Sequence, residues 1–530
     1  GGSDPLVCDL ELRPALQGAV ILLESGRIRA MVGGNDNRNF NRAINARRQL
    51  GSIWKPVLYN AALQLGWSPL DVVDNRSNVF HFEGTWYYPR ADHDNVDWTS
   101  LAWLGPKSEN LGSIWLLMHL TDRLGPRQFK LLADTVGLTR GENEEWMAYI
   151  RRIRDEEGVI STESRLNGLA FVAAQQELIG ELGEDSPQGR ELRSLFYGWG
   201  LEAEQERIRN SGNRVEERLS ALKRSYRALA KVGTPCIPQS NALVDSIQQG
   251  RMVIEKALAA DDWTEAAMPT TPDMAEYSDL RLDPETGAFR CGGTGPVLTE
   301  QDWLDWARGY RDPPVAADVV VGSSLTLGTM SRLHSIMKRR MLVWGTADPY
   351  DWSILQYHPD IRTLVGLRYM NVLARTYGVR EPLPPVLSMP LGAVDVSIEE
   401  AATLYQGLMD GQTWSFPGEA QGGDVETPAH STQLIAEIRD AEGTVLYKAK
   451  PVPTPRSDPS AGRQVGDVLR NVVRWGTGRR ALDAVKAATV GVPLAGKTGT
   501  TNGYRNAAFA GFVPRFGHDG WVWSEGYTLV

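Results

Sequence analysis

Residues 47–56, Arg-Arg-Gln-Leu-Gly-Ser-Ile-Trp-Lys-Pro, constrain this chain more than any other stretch. Ser52 and Lys55 stand three positions apart, just where the apolar run 57–65 begins. A run that opens this way reads as a helix, and a helix places i and i+3 side chains on one face. The Ser52 hydroxyl and the Lys55 amine then meet near the electropositive start of that helix, as a nucleophile and its base would. Spacing alone is weak support, because about one Ser-x-x-Lys arises by chance in a chain of this length. The competing reading is a helix-capping serine beside a surface lysine.

The rest of the chain narrows the choice. Its 530 residues have room for about two to four domains. An apolar fraction of 42% with 17 tryptophans belongs to a folded globular protein. A net charge of −9 argues against a nucleic-acid partner, since phosphate contacts need a basic surface. Three cysteines make neither a disulfide scaffold nor a cysteine-rich zinc protein. Cys236 and Cys291 either pair in an oxidising compartment or stay as two buried thiols. The seven histidines are scattered; Asp92-His93-Asp94 reads as a polar loop, so no metal and no cofactor is expected. No apolar run is long enough to span a bilayer. The opening Gly1-Gly2-Ser3 reads as the start of a soluble piece of a longer protein.

Two short apolar runs around Glu24-Ser-Gly26 read as a β-hairpin, and 71–97 as an aromatic, loop-rich stretch. Helices are expected over 111–124, 324–344, 364–377, 396–409 and 465–475. From about residue 139 the character changes to charges of both signs among apolar residues at helical spacing. Val215, Leu219, Leu222, Tyr226 and Leu229 form the seam of a helical hairpin or short coiled coil. The segment 235–314 reads as irregular. The basic residues Arg332, His334, Lys338, Arg339 and Arg340 read as a solvated face. The organisation expected is an α/β core interrupted by a mostly helical insertion.

Gly496-Lys-Thr-Gly-Thr500 is a sharper signal, since Lys-Thr-Gly-Thr arises by chance in on the order of one such chain in a hundred. On a strand, Thr498 and Thr500 face one side, and Gly499 admits a close neighbour. Two hydroxyls and backbone N–H groups beside a cation suit a carboxylate. Ser108-Glu-Asn110 offers a hydroxyl and an amide, and alone reads as a cap or loop.

Ser-x-x-Lys, Ser-x-Asn and Lys-Thr-Gly in this order resemble the penicillin-binding protein and serine β-lactamase superfamily, most closely the transpeptidase module of class A penicillin-binding proteins. Phe40-Asn-Arg-Ala43, Ala46-Arg-Arg-Gln49, Gly392-Ala393 with 396–402, Trp475-Gly-Thr-Gly-Arg479 and Thr500-Thr-Asn-Gly-Tyr-Arg505 are similar too. The resemblance covers about 17–138 and 362–530. It implies an antiparallel sheet flanked by helices, with a first transpeptidase part over 14–138 and a second part over 362–530; the excess length and the change of composition between them read as a helical insertion over 139–361. It further implies Ser52 as the acylated nucleophile, Lys55 as its base, Ser108 as proton relay, Asn110 as holder of the substrate amide and Lys55, and Lys497 as a source of positive potential. Thr498, Gly499 and Thr500 would bind the substrate's carboxylate end, and the N–H groups of Ser52 and Thr500 would form the oxyanion hole.

The implied activity is cross-linking of peptidoglycan stem pentapeptides ending in D-Ala-D-Ala to an acceptor amine, with acylation by β-lactams, on the periplasmic side of the inner membrane. Alternatives that keep the fold are a D,D-carboxypeptidase or β-lactamase, and a non-catalytic β-lactam sensor or scaffold. The sequence departs from the family at Leu50, where proline is usual, and at Glu109, whose carboxylate is expected to point away from the site. It also carries the long insertion, a partner-binding or positioning module or a plain structural elaboration. The family's glycosyltransferase module and membrane anchor are both absent from this chain.

Overall fold

The structure is a computed structural model and describes residues 16–34, 40–76, 79–89, 96–229, 236–261, 268–282, 289–292, 295–312, 318–420, 423–425, 432–488, 491–501, 505–518 and 520–530, with positions 264, 315 and 503. The chain folds into two compact units. The first comprises residues 1–76, 89–138 and 363–530; the second comprises 77–88 and 139–362.

The first unit is α/β and is built on an antiparallel sheet of five strands. Strand β1 (Val20–Glu24) turns through Ser25 and Gly26, both at positive φ, into β2 (Arg27–Val32). Two successive positive-φ residues match the twist of a two-residue hairpin, which is why a glycine stands there. The sheet runs Ala495–Thr500, Ala507–Gly517, Gly520–Leu529, β1, β2. The end of the chain therefore lies beside its beginning: Leu22 pairs with Leu529, and Ile21 and Val530 exchange backbone hydrogen bonds. The Ala495–Thr500 strand forms one edge and packs on the helix Pro459–Trp475.

Short strand β3 (Arg48–Gln49) leads into a 3₁₀ turn, Gly51–Trp54, and then helix α1 (Lys55–Gln64). Helix α2 (Leu101–Lys107) contains Pro106 and stops at Ser108, whose φ of +56° is left-handed; α3 (Asn110–Met118) follows at once. The helix expected over 111–124 thus begins at Asn110 and ends six residues early, in turns through 119–123. The expected helices 364–377, 396–409 and 465–475 are Pro359–Thr376, Ile398–Asp410 and Pro459–Trp475.

The second unit is mostly helical. Helices Leu201–Asn210 and Val215–Ser225 form the expected hairpin, packed through Leu201, Ile208, Ala221 and Leu222. The seam runs off the helix, however: Tyr226 is extended, and Arg227–Ala228 pairs in parallel with Leu195–Phe196. Tyr226 meets Trp86 edge-on and Phe196 at a tilt, so an aromatic that keeps helical spacing is partly buried here without lying on the helix. Trp86 belongs to a small hairpin, Phe80–Phe82 with Thr85–Tyr87, that groups with this unit although it precedes Ser108 in the chain.

The stretch expected to be irregular holds the longest described helix, Cys236–Ala260, and a capped one, Glu300–Ala307. Cys236 and Cys291 form a disulfide that ties this helix to the strand Phe289–Cys291. The basic face of Leu327–Trp344 is paired, not merely solvated: Arg339 and Arg340 both reach Glu177, and Arg332 reaches Glu181, on the helix Leu166–Leu182. No helix of the described residues is long and apolar enough to cross a membrane.

Candidate active site

Three glycines bring the site together. Gly51 has a φ of +60°, and a Cβ on it would lie 2.5 Å from Thr500 O and 2.9 Å from Thr500 N. A Cβ on Gly499 would lie 2.0 Å from Leu50 O, and one on Gly392 (φ +86°) would lie 2.0 Å from Gly51 O. The Ser52 turn is therefore clasped between the Ala495–Thr500 strand and the Gly392 turn at distances only glycine allows.

Ser52 is half-buried in the second position of the 3₁₀ turn, and its carbonyl accepts the backbone N–H of Lys55. With about three residues per turn, positions 52 and 55 eclipse more closely than they would in the α-helix expected there. The turn is held from behind. Tyr405 donates its hydroxyl to Ile53 O at 2.5 Å, and β3 pairs with Asp395–Val396. Arg47 Nη1 lies 2.8 Å from each oxygen of the buried Glu400 carboxylate. Burial pushes the Glu400 carboxyl up, but the N–H donors of Ser397 and Arg380 and the Arg47 guanidinium outweigh it and hold it below the usual range.

Lys55 is fully buried. Its Nζ donates to Ser108 O (2.5 Å), Asn110 Oδ1 (2.8 Å) and Glu109 O (3.1 Å), and lies 3.4 Å from Ser108 Oγ. The left-handed backbone of Ser108 presents carbonyl and hydroxyl to the same amine. Lys497, equally buried, donates from Nζ to Ser108 Oγ at 2.8 Å and to Thr498 O at 3.1 Å. One hydroxyl thus lies between two lysines that are 442 positions apart by number, and the Ser108–Lys497 contact alone closes 389.

Thr498 is half-buried and shares a hydrogen bond of 2.7 Å with the hydroxyl of Thr477; Thr500 is exposed at the strand end. Ser52, Lys55, Ser108, Asn110, Lys497, Thr498, Gly499 and Thr500 accordingly converge in the first unit. Glu109 is buried at 2% exposure, and its main-chain oxygen also accepts from Ser113 Oγ. Burial chiefly, and the Glu109 charge in addition, raise the pKa of the Tyr59 phenol on α1.

Sequence reasoning missed Tyr405, Glu400 and Thr477. Glu400 and Thr477 lie in quoted motifs, and nothing local said which partner either side chain would meet. Asp92-His93-Asp94 and Cys8 lie outside the described residues. Among the described residues no group of three or more His, Cys, Asp or Glu side chains could hold a metal ion.

Comparison with known proteins finds partial likenesses. No family model matches the chain. Penicillin-binding protein 1A of Neisseria gonorrhoeae is 36% identical over 115 residues, and that of Pseudomonas aeruginosa 37% over 122. Each match covers 20% of this chain and 14% of the relative's length. Among solved structures, penicillin-binding protein 1A from Haemophilus influenzae aligns over 98% of this chain and 44% of its own, at 12% identity and a TM-score of 0.38. The D,D-transpeptidase domain of a peptidoglycan glycosyltransferase from Eggerthella lenta aligns over 97% and 73%, at 12% identity and a TM-score of 0.36.

Proposed function

We propose that the chain, a partial-length relative of penicillin-binding protein 1A, is a serine D,D-transpeptidase that acts on peptidoglycan stem peptides through an acyl-Ser52 intermediate. The observation that carries this reading is the Lys497–Ser108–Lys55 arrangement behind the Ser52 turn. Serine is a poor nucleophile until a neighbouring base takes its proton, and a lysine does so only when neutral. A second cation, Lys497, on the shared hydroxyl disfavours a further positive charge on Lys55.

Ser52 Oγ attacks the carbonyl of the penultimate D-alanine and passes its proton to Lys55. The oxyanion forms against the N–H groups of Ser52 and Thr500, whose backbones the Gly51 contact holds side by side. Collapse breaks the amide bond, and Ser108 relays the proton to the departing D-alanine amine. An acceptor amine then attacks the ester, frees Ser52 and completes the cross-link. Lys497 and the hydroxyls of Thr498 and Thr500 hold the donor's terminal carboxylate. A β-lactam enters the first half of the same sequence and remains on Ser52. The Cys236–Cys291 disulfide supports work in an oxidising compartment, in keeping with the periplasmic face of the inner membrane.

The test is incubation with a labelled penicillin, following adduct mass over time beside Ser52→Ala. A long-lived adduct on Ser52 is expected, with cross-linking of lipid-linked pentapeptide. Rapid loss with hydrolysed drug would make the protein a β-lactamase. An adduct without cross-linking or D-alanine release would make it a sensor, and no adduct would refute the nucleophile.

A further inference from the structure

The turn 476–478 follows the helix Pro459–Trp475 and is pinned to the end of α2. Gly476 is extended there (φ −119°, ψ −154°), and a Cβ on it would lie 2.2 Å from Pro106 O. Thr477 N–H donates to that same Pro106 oxygen at 3.2 Å, and Gly478 N–H returns to Val472 O. With its backbone held two residues before Ser108, Thr477 is exposed and places its hydroxyl 2.7 Å from Thr498 Oγ1 on the Lys497 strand. The turn thus ties the loop that carries Ser108 to the strand that carries Lys497, and Thr498 O is itself fixed by Lys497 Nζ.

We infer that Thr477 is a positioning residue for the carboxylate of the acyl donor, an inference that rests on the reading of Ser52 and Thr498 given above. Each threonine hydroxyl has one proton to donate and two lone pairs to accept. Two hydroxyls that share one hydrogen bond use one proton between them and leave the other turned outward. An anion held by the potential of Lys497 selects the arrangement in which Thr477 donates to Thr498 and Thr498 donates to the carboxylate. Without Thr477, Thr498 keeps its proton but loses the partner that aims it, and its rotor is freed at the half-exposed strand end. Thr477 makes no contact with the reacting atoms, so its influence passes through Thr498 and is confined to ligands that bear a carboxylate.

The experiment compares Ser52 acylation by a penicillin and by the methyl ester of the same penicillin, in wild type, Thr477→Val and Thr477→Ser, with thermal melts of all three. Thr477→Val is expected to slow acylation by the free acid about tenfold and to leave the ester within about twofold of wild type, while Thr477→Ser restores the acid to within about threefold. Equal slowing of acid and ester by Thr477→Val, or a wild-type rate with the acid, overturns the inference and leaves the Ser52 reading intact. A wild-type chain that forms no Ser52 adduct with either compound overturns both.

Discussion

Replacing Gly499 by alanine tests the site's construction at its tightest point. The added Cβ would lie 2.0 Å from Leu50 O, 2.9 Å from Ile53 Cγ2 and 3.2 Å from Ile53 N. Two of these three are backbone atoms, and the backbone is anchored on both sides: Gln49 pairs with Asp395, and Ile53 O accepts the Tyr405 hydroxyl. No rotamer change relieves the overlap, so the Lys497 strand and the Ser52 turn must part by about 1 Å or more. A displacement of that size at a reacting centre lowers rates about 100-fold. Overpacking of a close contact destabilises by about 1–3 kcal/mol, or about 2–5 °C in Tm for a unit of this size. The assay is the second-order rate of Ser52 acylation by a penicillin, read by intact mass, beside calorimetric melting. Gly180→Ala is the control: this glycine sits in the helix Leu166–Leu182 with nothing within 4 Å of the new methyl, and should gain about 0.4–1 kcal/mol. Acylation by Gly499→Ala within threefold of wild type, with an unchanged Tm, would refute the claim that this glycine sets the distance.

Three further outcomes follow from named contacts. Burial pushes the Asp410 carboxyl up to about 7 against the N–H donors of Gln412 and Trp414, so the folded chain holds a proton that the unfolded chain releases. Stability from this group falls as pH rises from about 4 to 7; Asp410→Asn should flatten that part of a Tm-versus-pH curve and raise Tm at pH 8. Burial also pushes Glu191 up, but the Ser324 hydroxyl and the N–H groups of residues 323–325 outweigh it and hold its carboxyl low. Its contribution is present above the ordinary carboxylate range and lost as pH falls, so Glu191→Gln should cost about 2 kcal/mol at pH 7, with a smaller deficit at low pH, by denaturant titration. Opening the Cys236–Cys291 disulfide, which spans 55 positions, should cost about 4 kcal/mol on the chain-entropy estimate, seen as a lower Tm for the doubly Ser-substituted chain.

Local patterns were legible where local physics decides the structure. The β1–β2 turn needs two positive-φ residues and shows Ser-Gly; the capped helix Ile398–Asp410 shows its Ser397 and Glu400 box. The three motifs could be read because each carries its chemistry within three to five residues. The helix Cys236–Ala260 was lost because Pro238, tolerable only in a first turn, and a thin apolar face read as irregular chain. Its buried Leu243, Ile247 and Ala257 do keep helical spacing, so the signal was present and faint. The hairpin of residues 80–87 has strands too short to show a period, and its contacts with the rest of the second unit include Ser225 Oγ accepting Val79 N–H across 146 positions. The tertiary partners of Thr477, Tyr405 and Glu400 were not legible for the same reason. Each acts on a partner hundreds of positions or a whole element away, and spacing carries no record of that.

The second unit's long segment, residues 139–362, bears on how the site can exist at all. Residues 138 and 363 bound the excursion, and within the first unit its two flanks are tied to each other and to the C-terminal end of α3. Leu138 N–H closes on Ala133 O, and Val136 O accepts Arg368 Nη1 at 3.0 Å. Gly366 lets its helix lie on the end of α3, with a would-be Cβ 3.2 Å from Leu120 Cδ2 and 3.5 Å from Leu117 O. The chain is therefore re-joined against the helix that starts with Asn110, before it travels on to Lys497. Loop-closure entropy rises only with the logarithm of length, about 0.6 kcal/mol for each doubling. Once those flanks are joined, a folded excursion of any length adds little to the difficulty of bringing Lys497 to Ser108. What limits the site is the fit of three glycines and two lysines around one turn, and that fit is indifferent to how many residues intervene.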